Sequence, residues 1–328
     1  RRELFGGRWS LVGIALAGNA PIAHNARCRN PDSTQRSGRT AGMGASIEIR
    51  DIAANGMTFR TRVADGGGEP VLLLHGFPET SHMWTDLMPR LADAGYRCIA
   101  PDQRGYSPGA RPEPVEAYAY GPLASDVFAI ADAFGAERFH LVGHDWGALV
   151  GWAVVCETQR ERVVSYTAMS IPHIIAFAQA TYDDAGGDLY RGILQMLLTE
   201  GTFEGLIASN PDAFKATWTH SPPEQVDEYL SVLSQPGAMR AAANWYRACD
   251  GHRTALAPDA IFGPVTTPTL LIWGKDDPYV RRMSVELAAP YMAGEYRVVE
   301  LDAGHWLAQE APDAVAAEVL SHLRGHAI

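Results

Sequence analysis

Positive charge is in short supply in this chain. Its 27 Lys and Arg stand against 38 Asp and Glu, for a formal charge of −11 and a pI near 5.4. A surface that tracks a phosphate backbone needs clustered Lys and Arg; no basic stripe occurs, which argues against nucleic acid as a partner. Cysteine is equally sparse. Cys28, Cys98, Cys156 and Cys249 are widely separated and make no Cys-x-x-Cys or Cys/His ligand spacing. Neither a disulfide framework nor a structural zinc is expected from them, and Cys98 and Cys156, within apolar runs, read as small core residues. The apolar run from Trp9 to Ala17 is far too short to span a bilayer. What is present suits a globular enzyme: 47% hydrophobic and 20% charged residues over 328 positions, enough for one large core or one core with an inserted subdomain.

Residues 1–45 read as an N-terminal extension, disordered or non-native, outside the folded core. Arg1 and Arg2 precede the apolar run, and Asn25 to Gly44 is rich in Arg, Ser, Thr, Asn and Gly without apolar periodicity. One reading is an export signal over residues 1–27, the Arg pair being followed by Leu4 and Phe5. The other is a tail ahead of a start at Met43. The short run with its Gly13 and Gly18 favours the second, and with it a cytoplasmic protein.

From Ser46 onward strands and helices alternate. Ile47–Ile52 and Met57–Val63 are predicted as strands joined by an Asn55-Gly56 hairpin turn. Val71–Leu74 is a continuous apolar run, as in a strand buried on both faces of a parallel sheet. Trp84, Leu87, Met88 and Leu91 repeat at helical spacing, with a break expected at Pro89. Tyr96–Ala100 is a further strand, Val127, Ile130, Ala131 and Phe134 mark a helix, and Val163–Met169, Pro268–Trp273 and Tyr296–Leu301 are later strands. Val315, Val319 and Leu323 stripe a closing helix. This alternation predicts a doubly wound α/β core over 46–170 and 265–328. Between them, 171–264 changes to helical segments at Leu189–Leu198, Phe203–Ile207, Val226–Leu233 and Met239–Cys249. A helical insertion there is expected to form a cap, or lid, over the carboxyl edge of the sheet.

The chemistry gathers at the predicted strand ends. Phe139–Val142 leads into Gly143-His144-Asp145-Trp146-Gly147, and Ala148–Val155 continues as an apolar helix. A strand-to-helix turn this sharp strains its central residue and needs glycine neighbours. The pattern Gly-x-nucleophile-x-Gly here carries aspartate where serine is commoner, which points to an alkyl-enzyme ester rather than an acyl-enzyme. Taken alone, Asp145 also reads as a cap of the following helix. After Val71–Leu74 comes His75-Gly76-Phe77-Pro78, in which Pro78 fixes a turn, with a cis bond as one way of making it. The amides of Phe77 and Trp146 are the two candidate oxyanion donors. Gly274-Lys275-Asp276-Asp277-Pro278 offers two acidic candidates, and Asp302-Ala303-Gly304-His305-Trp306 a histidine. The set runs nucleophile, acid, histidine, each just beyond its own predicted strand.

Val71–Pro78, Asp102-Gln103-Arg104-Gly105-Tyr106, the Asp145 turn, Gly274–Pro278 and Gly304–Trp306 together resemble the epoxide hydrolase branch of the α/β-hydrolase family, over residues 46 to 328. The resemblance implies a mostly parallel sheet flanked by helices, with an inserted helical cap. It implies Asp277, not Asp276, as the acid, since the family pattern Gly-x-x-Asp counts from Gly274. Asn244-Trp245-Tyr246-Arg247 resembles the segment bearing the family's second cap tyrosine, and Tyr190, five residues before Gln195, resembles the first; Tyr182 competes for that role.

The implied reaction has two steps. Asp145 attacks an epoxide carbon while Tyr190 and Tyr246 donate to the oxygen. His305, oriented by Asp277, then activates water against the ester, with Phe77 and Trp146 amides on the oxyanion, releasing a vicinal diol. The implied partners are a small-molecule epoxide and water, with no metal or organic cofactor, in a monomer or homodimer. Phe77, Trp146, Phe177 and Trp218, with Ile193, Leu197 and Phe203, are expected to wall an apolar pocket for an aryl or alkyl epoxide.

Three rival readings share parts of this pattern. A haloalkane dehalogenase would use Asp145, His305 and Trp146, but resembles sequences with Asn after His-Gly, and Phe77 has no side-chain donor for a halide. A haloacid dehalogenase of the fluoroacetate type would need arginines beside the nucleophile, where Trp146 and Leu149 stand. A catalytically silent ligand-binding relative would have no use for Asp145, Asp277 and His305 together.

Overall fold

A computed structural model of the protein describes residues 45–183 and 188–328. The expectations for the N-terminal stretch, the Met43 start and the export signal included, fall on residues outside these. Among the described residues one sheet is formed by β1 Glu48–Ala54, β2 Met57–Asp65, β3 Pro70–Leu74, β4 Arg97–Pro101, β5 Phe139–His144, β6 Val163–Met169, β7 Thr269–Gly274 and β8 Tyr296–Leu301. The helices are α1 Leu87–Asp93, α2 Tyr120–Ala133, α3 Trp146–Cys156, α4 Ile174–Tyr182, α5 Asp188–Leu198, α6 Thr202–Ser209, α7 Pro223–Leu233, α8 Ala238–Ala248, α9 Arg282–Glu286, α10 Leu307–Glu310 and α11 Pro312–Gly325. None of the described helices is long and apolar enough to cross a membrane.

The sheet has the order β1-β2-β4-β3-β5-β6-β7-β8. β1, β2 and β4 pair antiparallel, and every pairing from β4 through β3 to β8 is parallel. Asn55 and Gly56, at φ 49° and 71°, close the β1–β2 hairpin as their sequence predicts. The central strands are buried on both faces, β5 and β7 at every residue, which explains why they read as unbroken apolar runs. At β8 burial is only partial and alternates with exposure, as at an edge.

Strand order fixes where chemistry can occur. The chain leaves β3 on one side to make β4 and returns on the other to make β5. The carboxyl ends of β3 and β5 therefore diverge into a crevice, the usual ligand position of an open α/β sheet. Phe77 follows β3 and Asp145 follows β5. β6 and β7 are separated in sequence by α4 to α8, all helical among the described residues, and these carry Tyr190 and Tyr246.

Several boundaries differ from expectation. The break predicted at Pro89 comes earlier, between a 3₁₀ turn at Ser81–Trp84 and α1. Pro89 sits in the first turn of α1, where a backbone N–H has no intrahelical partner to lose. Cys98 is fully buried, but Cys156, at the end of α3, is only half-buried.

Helix α3 can lie against the sheet only because Gly147 lacks a side chain: a Cβ there would run into the Leu74 carbonyl, which is backbone and cannot swing away. Gly147→Ala is therefore expected to destabilise the fold by about 1–3 kcal/mol, as overpacking does. Urea denaturation measures it, and an unchanged midpoint would contradict this account of the helix–sheet approach.

Candidate active site

Asp145 sits between β5 and α3 with φ 51° and ψ −118°, a backbone conformation that costs a non-glycine residue about 1–3 kcal/mol. The strain lifts its carboxylate out of the sheet edge into the crevice. There Oδ1 accepts a hydrogen bond from the Phe77 amide at 2.8 Å. The approach is close enough that a Cβ on Gly76 would strike the Asp145 side chain. The Phe77–Pro78 bond is cis. Trp146 is the first residue of α3, so its amide is one of the helix's unpaired N–H groups beside Asp145.

His305 reaches the same point from the loop after β8. Its Nε2 is 3.5 Å from Asp145 Oδ2, and its Nδ1 is 2.7 Å from Asp277 Oδ2. Asp277 is fixed in turn, because its Oδ1 accepts from the amides of Tyr279 and Val280 at 2.8 and 3.0 Å. Asp276, the other acidic candidate of that loop, points to solvent. The side chains of His305 and Asp277 are buried, at 4% and 0% exposure, and that of Asp145 is 13% exposed.

Burial alone would push His305 down, but the charges of Asp277 and Asp145 outweigh it and lift the imidazole to about 10. Burial likewise pushes Asp145 up, and the hydrogen bond and charge of His305 outweigh it, holding the carboxyl below its ordinary value. The resting pair is thus imidazolium and carboxylate.

A cavity of about 220 Å³ opens over these groups. Asp145 and His305 form its floor, and Tyr190, Tyr246 and Tyr279 bring phenols to it. Phe77, Phe177, Ile193, Met196, Phe203 and Phe214 are the large apolar side chains of the remaining wall, and no Arg or Lys is among its described lining residues. Tyr246 is held by its neighbours in α8. Trp245 donates its indole N–H to the Arg104 carbonyl in the core at 2.9 Å, and Arg247 bonds the Leu197 carbonyl of α5 and Glu204 of α6. Burial and the charge of Asp145 keep the phenols of Tyr246 and Tyr190 well above their ordinary range.

Some expected wall residues stand elsewhere. Trp218 is 2% exposed and packs behind the wall, against Phe214 and Tyr229, so that Phe214 and Thr217 present the surface in its stead. Trp146 is buried beneath Tyr246, edge-on with ring centroids 4.9 Å apart, and its side chain does not line the cavity. Leu197 is also fully buried behind it. Tyr182 donates to the Gly251 carbonyl at 2.7 Å and lies outside the lining, so Tyr190 is the tyrosine that faces Tyr246 across the cavity.

Three residues escaped the sequence reading. Tyr279 stands two positions beyond Asp277 and lays its ring edge-on to His305, 5.0 Å between centroids. Glu79, fully buried beside the Phe77–Pro78 turn, accepts from Gln309 and Tyr229 and lies 3.4 Å from His144 Nδ1, while His144 Nε2 donates to the His305 carbonyl at 2.8 Å. Its one sequence signal is a carboxylate directly after Pro78. His252, between two tyrosine hydroxyls, has none.

A sequence model of the alpha/beta hydrolase fold matches residues 69–312. Epoxide hydrolase A of Mycobacterium tuberculosis (strain ATCC 25618 / H37Rv) is 34% identical over 324 aligned residues, covering 86% of this chain and 99% of that protein. The crystal structure of epoxide hydrolase A from Mycobacterium thermoresistibile superposes with a TM-score of 0.67 at 29% identity, over 86% of this chain and all of that one. An epoxide hydrolase from Vigna radiata superposes with a TM-score of 0.72 at 26% identity, over 85% and 98%.

The raised pKa of His305 makes stability depend on pH. The folded state binds a proton that the unfolded chain releases near 6.5, so this stabilisation is full below about 6.5 and is lost as pH rises toward about 10. The midpoint of thermal unfolding is expected to fall between pH 7 and 10, and to fall less steeply in His305→Gln. Parallel pH profiles for the two proteins would refute the assignment of an imidazolium at this site.

Proposed function

This chain belongs to the α/β-hydrolase family, in its epoxide hydrolase branch, and on that premise we propose that it converts an apolar aryl or alkyl epoxide to a vicinal diol through a covalent ester of Asp145. The observation that supports the proposal is that Asp145 and the phenols of Tyr190 and Tyr246 line one largely apolar cavity. A phenol is the donor an epoxide oxygen needs as its bond to carbon breaks. A haloacid would call for a cationic clamp, and the described residues of the lining include no Arg or Lys.

In the first step Asp145 Oδ2 forms a bond to one epoxide carbon and that carbon's bond to oxygen breaks. Oδ1 stays on the Phe77 amide. The oxygen takes a proton from Tyr190 or Tyr246, which burial keeps protonated until an alkoxide, a stronger base than a phenolate, develops beside them.

Esterification removes the charge of Asp145, one of the two anions that lift His305. The imidazolium then gives up its proton more readily; that proton restores the phenolate left by the first step, and the neutral ring can take one from a water attacking the ester carbon. Asp277 keeps Nδ1 protonated and Nε2 directed at that water. The oxyanion gathers on Oδ1, where the Phe77 amide, with the Trp146 amide as second donor, stabilises it. Collapse breaks the ester, and the departing diol oxygen takes its proton from His305.

We read 46–170 and 265–328 as the catalytic core and 171–264 as a cap whose task is to bring the phenols and exclude bulk water. The Asp102–Tyr106 loop and α8 share the Arg104–Trp245 hydrogen bond, which supports a fixed height of Tyr246 above the nucleophile.

With an aryl epoxide such as styrene oxide, Asp145→Ala is expected to form no diol. His305→Gln is expected to gain one substrate mass and hold it, read by intact-protein mass spectrometry. An active His305→Gln enzyme with no adduct would sink the ester mechanism. Tyr246→Phe is expected to slow ring opening by about 100-fold, the usual worth of a general acid, with ester hydrolysis little changed; equal slowing of both steps would remove Tyr246 as proton donor.

A further inference from the structure

His252 is fully buried next to the cavity yet is not part of its wall. Its Nδ1 lies 2.9 Å from the hydroxyl of Tyr120, the first residue of α2 in the core, and its Nε2 lies 2.8 Å from the hydroxyl of Tyr190 on α5. The ring is walled by Trp146, Phe177 and Tyr246, with centroids 5.2, 5.4 and 5.9 Å away. The backbone is forced to achieve this. Asp250, Gly251 and His252 take φ values of 43°, 58° and 78°, three left-handed residues in a row, and two of them are not glycine. Tyr182 clamps the Gly251 carbonyl at 2.7 Å. Strain of this kind persists only where the surroundings enforce it.

A neutral imidazole has one N–H and one bare nitrogen. Burial drives His252 down to about 4, so near neutral pH one tyrosine hydroxyl gives its proton to the ring and the other receives one from it. Two arrangements satisfy this, and they differ at Tyr190. If Nδ1 carries the proton, Tyr190 spends its own on Nε2 and points away from the cavity. Tyr120 is then left with a buried O–H whose remaining neighbour is the Cys249 thiol, a weak acceptor. If Nε2 carries the proton, Tyr120 donates to Nδ1, Nε2–H donates to Tyr190, and the Tyr190 hydrogen is free to face the cavity. The second arrangement gives Tyr120 the stronger acceptor, an imidazole nitrogen in place of a thiol, and keeps the Tyr190 hydrogen for a group bound in the cavity.

We propose that His252 is a positioning residue for Tyr190: the chain Tyr120–His252–Tyr190 fixes the imidazole with its proton on Nε2, which turns the Tyr190 hydroxyl toward the cavity as a donor and stabilises the phenolate left when that proton is given up. The proposal rests on the epoxide-opening reading, since it concerns the acid of that step. It also assigns Tyr120, which lies outside the cavity lining, a part in the reaction through His252. The proton given to the substrate oxygen comes from Tyr190 alone; His252 keeps its own and only strengthens its hydrogen bond to the phenolate.

Two measurements test this on the full chain. Long-range ¹H–¹⁵N correlation of uniformly ¹⁵N-labelled protein distinguishes a protonated ring nitrogen from a bare one, with the His252 signals identified by their loss in His252→Gln. Nε2 is expected to be protonated; a proton on Nδ1 overturns the proposal, whatever the substrate. Rapid-quench measurement of ester formation supplies the second. His252→Phe is expected to slow this step about 10-fold or more, to leave hydrolysis of the ester unchanged, and to add less than about 2-fold to the loss in a Tyr190→Phe background, as residues acting through one another do. Losses that multiply in the double variant, or equal slowing of both steps, assign His252 a merely structural part and overturn the proposal. Tyr120→Phe, which removes the donor to Nδ1, covers the case of an unfolded His252→Phe; a rate of ester formation equal to wild type in that variant also overturns it. If wild type itself forms no ester, the epoxide reading fails, and the ring-nitrogen spectrum still decides the placement of the proton.

Discussion

A carboxylate kept ionised at the bottom of an apolar cavity is the constraint around which the other parts are arranged. Burial works against the charge on Asp145, and a buried carboxylate without partners would take up a proton and cease to be a nucleophile. Chief among the groups that reverse that tendency is the His305 imidazolium, with His144 and the Phe77 amide adding to it, and the two that touch the carboxylate are His305 and Phe77. They arrive from the ends of β8 and β3, while Asp145 arrives from β5. Both must meet it within a few ångströms, so the sheet order and the glycine approaches at Gly76 and Gly147 are conditions of the charge state, not decoration around it. The left-handed backbone at Asp145 belongs to the same account. Its energetic cost is borne by a helix and a strand that are buried almost throughout.

On the proposed mechanism, Asp145, His305 and Asp277 would also distribute protonation in time. Asp277, with no exposure and two backbone amides on its other oxygen, is a fixed anion for His305. Asp145 would be a removable one, since the proposed esterification takes its charge away. A histidine between one permanent and one removable anion would be acidified by the first step of that mechanism, which is when a base is needed. A triad whose nucleophile is an uncharged serine has no such coupling, because its histidine faces only one anion at rest.

Much of this was legible in the sequence because it depends on spacing. Glycines two residues either side of Asp145 mark a close backbone approach, and the continuous apolar runs at β3, β5 and β7 mark burial on both faces; those signals survive without coordinates. Strand limits shifted by a residue or two, as at β4, where a run read as Tyr96–Ala100 pairs as Arg97–Pro101. The inserted helices were less readable. Trp218 looked like a cavity residue because it is large and apolar, but amphipathic helices bury one such face against each other and another against the ligand, and spacing alone does not separate the two. His252 gave no signal, since its position depends on a backbone reversal after α8 that joins α2 to α5 across many residues of sequence. Pro89 misled for the opposite reason: a proline ends a helix from within but begins one just as well.

The insertion has to be rigid where it acts, and its polar contacts account for that. Trp245 and Arg247 flank Tyr246 and bind it to the core and to two neighbouring helices. On α7, Glu228 is gripped by Arg60 and Arg62 of β2, with Asp102 as the second anion of the cluster. These bonds lie outside the cavity, whose wall away from Asp145, His305 and the three phenols is apolar but for Thr217. The separation follows from electrostatics. A cation inside the wall would compete with His305 for Asp145 and would lower the basicity the carboxylate needs to attack carbon, whereas phenols, neutral until the alkoxide forms, leave it untouched. An acid that is uncharged at rest is thus the donor compatible with an anionic nucleophile in the same dry space, which is why tyrosine, and not lysine or a second histidine, is the residue type that fits the roof of this cavity.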